Sequence, residues 1–227
     1  MTAGPLRLSP LGRRVLSRYR GAGVGTRLFL NARWRWTPYE RIAAKLPTSG
    51  TILDLGAGHG LLSLALCLSE PGRTVLGLDH DPRRTALARA AGGDVPNVEF
   101  ESGSLLGGVS AADGIVVLDA MHYLSHDEQE LFLGRCRTAL RPGGVLLIRD
   151  VDAAAGSRSV VNRTYERVMT GLRITRAEKL HFRSRAGWVE ALQRAGFAAV
   201  VEPCSRFPFA DLLFTSRLPA AALLKAA

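Results

Sequence analysis

Residues 51–60, Thr51-Ile52-Leu53-Asp54-Leu55-Gly56-Ala57-Gly58-His59-Gly60, constrain this chain more than any other segment. A short apolar run, suited to a buried strand, ends in three glycines at alternate positions, and a helical apolar run, Gly60–Ser69, follows. Glycine has no Cβ, so the backbone there can approach a ligand closely, and the start of the helix offers free N–H groups. Asp54 adds a carboxylate at the strand end, which suits a ligand carrying an ammonium group and a carboxylate. The dinucleotide fingerprint G-x-G-x-x-G needs its third glycine one place later, where Leu61 stands. A second acid, Asp79, closes the run Leu76-Gly77-Leu78-Asp79 about twenty residues on, where a carboxylate accepts the hydroxyls of a ribose.

Downstream the sequence alternates between two periods. Apolar strand patterns are read over residues 51–55, 74–79, 97–101, 114–119, 145–150, 197–202 and 210–217. Helical patterns are read over 38–46, 60–69, 82–91, 127–140 and 184–195, with Pro38 in a first-turn position and Asp81-Pro82 as a start signal. Arg141-Pro142-Gly143-Gly144 reads as a breaker between helix and strand. Strands that alternate with helices predict an α/β fold, a mostly parallel sheet with helices on both faces. The last two strands are joined too briefly for a crossover and predict an antiparallel hairpin.

Charge divides the chain unevenly. Of a formal net charge of +10, residues 1–47 carry +9, with Glu40 their single acid. A second basic cluster lies within 156–185. Residues 1–47 read as a basic, helical N-terminal arm or cap, and 48–227 as the main domain with a basic insertion at about 153–183. Such fields favour anionic partners, with nucleic acid and an anionic membrane surface as the macromolecular options. Cys67, Cys136 and Cys204 have neither metal-ligand nor redox spacing, and no metal cluster is evident. With no signal peptide pattern and no long apolar span, the expectation is a cytoplasmic protein, at most peripheral to a membrane.

Asp54 through Gly60, Asp79, the strand Gly114–Asp119 and the turn Leu140–Gly144 together resemble the class I S-adenosylmethionine (SAM) dependent methyltransferases. The resemblance is specific over about 38–150. It implies a Rossmann-like, seven-stranded sheet in the order 3-2-1-4-5-7-6 with the last strand antiparallel. It also implies SAM as cofactor and S-adenosylhomocysteine as product. The cofactor-binding residues it implies are Asp54, Gly56, Ala57, Gly58, Gly60, Asp79, His80, Ser104, Leu105 and Asp119. Ser104 departs from the pattern, because the family often has an acid there for the adenine amino group.

Transfer from a sulfonium needs an aligned nucleophile, exclusion of water and, for some acceptors, removal of a proton. The residues after the fourth strand, Asp119-Ala120-Met121-His122-Tyr123, lie at the carboxyl end of a central strand, where such sheets bind ligands. His122 is the candidate general base, against the alternative that it only lines the site. Asp119 is a cofactor or substrate contact, or else a turn carboxylate. Arg149 and Asp150 read as an ion pair in the pocket floor. Tyr123, Arg149, Tyr19 and Arg20 are the candidate substrate-side residues, and His181 is a weaker base candidate. His59 is expected to point toward the helix start or solvent. The expected acceptor is a small or lipid-like molecule, anionic or linked to an acyl carrier. RNA or protein methylation, or SAM binding without catalysis, are the alternatives.

Overall fold

The computed structural model describes residues 8–108, 110–155, 180–204 and 210–219. Its chain divides into two compact units, Met1–Gly107 with Ala112–Val116, and Gly108–Ala111 with Val117–Ala227. The strands form one sheet in the order β3-β2-β1-β4-β5-β7-β6, as the resemblance to the methyltransferases implied.

The first unit opens with α1 (Pro10–Ser17), α2 (Val24–Trp36) and α3 (Tyr39–Ala43). It continues through β1 (Gly50–Leu55), α4 (Leu61–Ser69), β2 (Arg73–Asp79), α5 (Pro82–Gly92), β3 (Val98–Ser102) and most of β4 (Ala112–Leu118). Polar caps set the starts of α1 and α5. Ser9 accepts from the Gly12 N–H at 2.9 Å ahead of α1, and Asp81 accepts from Arg83 N–H at 2.9 Å ahead of α5, whose first residue is Pro82. β1 lies parallel to β2, pairing Leu53 with Leu76, and to β4, pairing Leu53 with Ile115.

α3 is shorter than the sequence predicts. Pro38 caps it instead of occupying its first turn, and beyond Ala43 the bonds tighten to the i→i+3 type, Lys45 N–H to Ile42 and Leu46 N–H to Ala43. Arg73 is the physical reason, because its guanidinium takes the carbonyls of Ala43 and Leu46. The same buried side chain bonds the carbonyls of Pro47 and Leu66 and the Ser69 hydroxyl, tying α3 and α4 to the start of β2.

The second unit holds a 3-10 turn (Met121–Tyr123), α6 (His126–Ala139), β5 (Leu140–Val151), α7 (Arg185–Arg194), β6 (Ala199–Pro203) and β7 (Asp211–Arg217). β7 runs antiparallel to both β5 and β6, so the expected hairpin is present. A capping box starts α6, with Ser125 and Glu128 bonded reciprocally. β5 begins at Leu140, five residues before the predicted strand. The Pro-Gly-Gly segment ends the helix as expected, but it continues as extended chain. Gly143 takes a left-handed φ of 82°, and the 143–144 backbone is paired with Leu218 and Pro219.

Most of the predicted basic insertion, residues 156–179, lies outside the described residues. Among the described residues, no helix is long and apolar enough to cross a membrane. Cys67, Cys136 and Cys204 are buried free thiols.

Candidate active site

In the first unit the glycine turn joins β1 to α4 and is held by the end of β2. Gly56, Gly58 and Gly60 all have positive φ, at 81°, 57° and 79°. The N–H groups of Gly56 and Ala57 both donate to the Leu78 carbonyl, at 2.8 and 2.9 Å. The Gly58 N–H donates to Asp79 Oδ2 at 2.8 Å, and the Asp81 N–H to Asp79 Oδ1 at 2.9 Å. The Asp79 carboxylate is thereby fixed, yet each oxygen keeps lone-pair capacity for a further donor. His80 sits beside it, its Nδ1 3.5 Å from Asp79 Oδ1.

The three glycines do different work. A Cβ on Gly58 would meet nothing nearer than Asp79 Oδ2 at 4.0 Å, so bare backbone faces open space beside a carboxylate. A Cβ on Gly60 would lie 2.6 Å from the Phe100 ring. The same ring lies 2.6 Å from the Cβ position of Gly77 and 3.1 Å from that of Gly92. Gly60 is therefore required by packing, and Phe100, which the sequence reading passed over, is what it packs against. Glycines on neighbouring elements, Gly77 within β2 and Gly92 at the end of α5, were the available signal.

Asp54 is 2 % exposed and accepts from the Ser63 hydroxyl at 2.6 Å, which ties the end of β1 to the first turn of α4. Burial pushes its pKa up to about 6, against the lowering effect of Ser63. Ser104 is exposed, and its hydroxyl accepts from the Leu106 N–H at 3.1 Å, while Leu105 is half-buried in the same turn.

The basic arm packs directly on the glycine turn. The buried Tyr19 hydroxyl donates to the His59 carbonyl at 2.5 Å, and the Phe29 ring lies 5.7 Å from the His59 ring. His59 therefore faces the arm, not solvent. Burial, then the Arg84 charge, holds its pKa down at about 4. Arg18 anchors the arm to Asp94 and to the Ala91 carbonyl. Arg20, expected on the substrate side, is exposed.

In the second unit the predicted Arg149–Asp150 ion pair is absent. Successive strand residues face opposite sides, so the two side chains part. Arg149 bonds the carboxylates of Asp119 and Asp211, both salt bridges buried, and also the Cys204 carbonyl at 3.2 Å. Asp150 instead bonds His122, Oδ1 to Nδ1 at 2.7 Å, with both side chains fully buried. This partner orients the imidazole. With the proton on Nδ1 donated to Asp150, Nε2 is the basic nitrogen.

Asp119 is a non-glycine residue at a φ of 54°, and its N–H donates to the Arg149 carbonyl at 2.9 Å. A left-handed residue of this kind is held by its surroundings, here by Arg149 through both backbone and side chain. Its carboxylate is engaged within this cluster, so any role toward a cofactor shares it with Arg149.

Around His122, the Phe182 ring stacks at 4.8 Å and the Tyr123 ring tilts at 4.5 Å. The His122 carbonyl accepts from the His181 N–H at 2.8 Å, so His181 contributes backbone here. Gln129, fully buried, donates to the carbonyls of Met121, Leu124 and His181 and accepts from Arg183 Nε at 2.6 Å. Gln129, Asp211 and Phe182 were missed from the sequence. Gln129 shares helical spacing with buried Phe132, Leu133 and Cys136, and a polar residue on such a face was its signal.

A family model described as a methyltransferase domain matches residues 28–202. The chain is 32% identical over 150 residues to "Ribosomal RNA large subunit methyltransferase G" of Streptomyces avermitilis, covering 62% of this chain and 38% of that protein. It is 32% identical over 138 residues to "Demethylmenaquinone methyltransferase" of Thermus thermophilus, covering 59% of this chain and 61% of that protein. The chain therefore spans less than two thirds of either relative. In fold it matches an O-methyltransferase family protein from Burkholderia thailandensis with a TM-score of 0.67 at 20% identity, over 81% of this chain and 56% of that one.

Proposed function

Because the chain belongs to the methyltransferase domain family, we propose that it is a SAM-dependent enzyme that methylates a small-molecule or lipid-like acceptor. The observation that carries this reading is the Asp79 carboxylate, fixed by the N–H groups of Gly58 and Asp81 beside a stretch of bare backbone. That arrangement fits a nucleoside, with Asp79 accepting from ribose hydroxyls. Gly56, Ala57, Gly58 and Gly60 form the turn against which the amino-acid part would lie. Asp54 sits beneath that turn, His80 would border the ribose, and the backbone of Ser104 and Leu105 would border the base. Bound there, the cofactor supplies a methyl group already activated on a sulfonium.

The second unit supplies the proton chemistry. His122, oriented by Asp150, takes the acceptor's proton at Nε2, and Tyr123 and Phe182 flank its ring. Arg149 fixes the backbone that leads into His122 by holding Asp119. The described part of the basic arm, residues 8–47, steadies the glycine turn through Tyr19 and Phe29.

Calorimetric titration with SAM and S-adenosylhomocysteine tests the cofactor assignment, with Asp79→Ala as the variant that loses binding. Tight binding of a nicotinamide dinucleotide with none of either SAM species overturns it. Labelled methyl transfer into metabolite, lipid and RNA fractions then tests the acceptor. His122→Asn and Asp150→Asn are expected to lower turnover while leaving SAM affinity intact. The relative named as a ribosomal RNA methyltransferase favours RNA as the second reading, and label appearing in RNA alone would establish it.

A further inference from the structure

α2 is buried on one side and exposed on the other. Leu30 and Trp34, 1 % and 8 % exposed, face inward. Val24 and Leu28 are 71 % and 67 % exposed one turn apart, and Trp36 is 47 % exposed at the helix end. At about 100° per residue, Val24, Leu28 and Arg35 fall within about 40° of one another, with Arg27 and Trp36 bordering that row on either side. Arg27 and Arg35 are exposed. Aliphatic side chains thus project between guanidinium groups on the outer face of a helix whose inner face is packed.

From this we infer that the outer face of α2 is a docking surface for an anionic lipid bilayer. Leu28 and Val24 supply apolar insertion, Trp36 suits the interface, and Arg27 and Arg35 meet acidic headgroups. The choice of occupant rests on charge complementarity and on side-chain type. Residues 1–47 carry a net charge of +9, which selects an anionic surface. A nucleic acid would satisfy the arginines and could stack on Trp36, but the two most exposed apolar side chains of the face, Val24 and Leu28, are aliphatic and suit acyl chains over bases. The inference does not depend on the methyl-transfer reading, and a surface-docked enzyme would meet lipid-like acceptors where they reside.

Co-sedimentation of the full chain with two vesicle types tests it: phosphatidylcholine doped with phosphatidylglycerol, and phosphatidylcholine alone. Binding is expected only to the doped vesicles, with a blue shift of tryptophan emission that Trp36→Phe removes. Val24→Glu/Leu28→Glu, at exposed positions, is expected to weaken partitioning about tenfold or more at an unchanged melting temperature. Arg27→Gln/Arg35→Gln is expected to weaken it too and to lower its salt sensitivity. Equal binding to both vesicle types overturns the inference, as does unchanged binding of the Val24/Leu28 variant. Displacement from vesicles by single-stranded RNA, with RNA affinity unaffected by the Val24/Leu28 changes, replaces the bilayer with RNA.

Discussion

Asp54 and His59 bracket the glycine turn and titrate in opposite senses. Burial raises the Asp54 carboxyl from its ordinary 3.8 to about 6. The folded state therefore holds an extra proton between those values, and stability from this group falls as pH rises through that window. Burial and Arg84 lower His59 from 6.5 to about 4, so the folded state there lacks a proton that the unfolded chain binds. Stability from His59 is present above the upper value and is lost as pH falls through the window. The two windows nearly coincide, and their effects oppose. Asp54→Asn keeps an acceptor for the Ser63 hydroxyl and removes a buried charge. At pH 7 it should stabilise the fold by on the order of 2–3 kcal/mol. It should also steepen the acid loss below neutrality, because His59 is then uncompensated. Chemical denaturation across pH measures both effects, and a variant less stable at pH 7 would contradict the assignment. Tyr19→Phe removes the bond to the His59 carbonyl, worth about 1 kcal/mol, and should lower SAM affinity several-fold in calorimetry without changing turnover at saturation.

Among the elements, those with a local signal were legible. Asp81 with Pro82 places α5 at its observed start, and the helical spacing over 127–140 places α6 within a residue of both ends, because both signals are settled by neighbours in sequence. α3 was not legible, because its end is decided by Arg73, which arrives from β2. An arginine that bonds five groups across three elements leaves no trace in any one of them. Arg73→Met should cost about 3 kcal/mol, since several buried carbonyls lose their donor at once, and urea unfolding would read that loss. The same limit explains the site. The turn residues Asp54 to Gly60 and Asp79 could be read from spacing, whereas the partners of Arg149 and Asp150 could not. Which acid meets Arg149 depends on the positive φ at Asp119 and on where β7 begins, at Asp211. Adjacency in sequence suggested Asp150, and strand alternation sends that side chain to His122.

At the scale of the whole molecule, the alternation of periods gave the α/β class and the short link before the last strand gave the antiparallel hairpin, whereas the sheet order followed only from the resemblance to the methyltransferases. The outermost strands of that order are β3 and β6. β3 carries exposed Glu99 and Glu101 at alternate positions, and β6 ends at Pro203. An edge strand has hydrogen-bonding groups available to another chain, and paired carboxylates or a missing donor discourage the approach. Replacing Glu99 and Glu101 with valine should leave the monomer folded and promote self-association, which light scattering against concentration would show. The β3 margin therefore acts as a fence: a strand approaching that flank meets two carboxylates before it can reach the backbone.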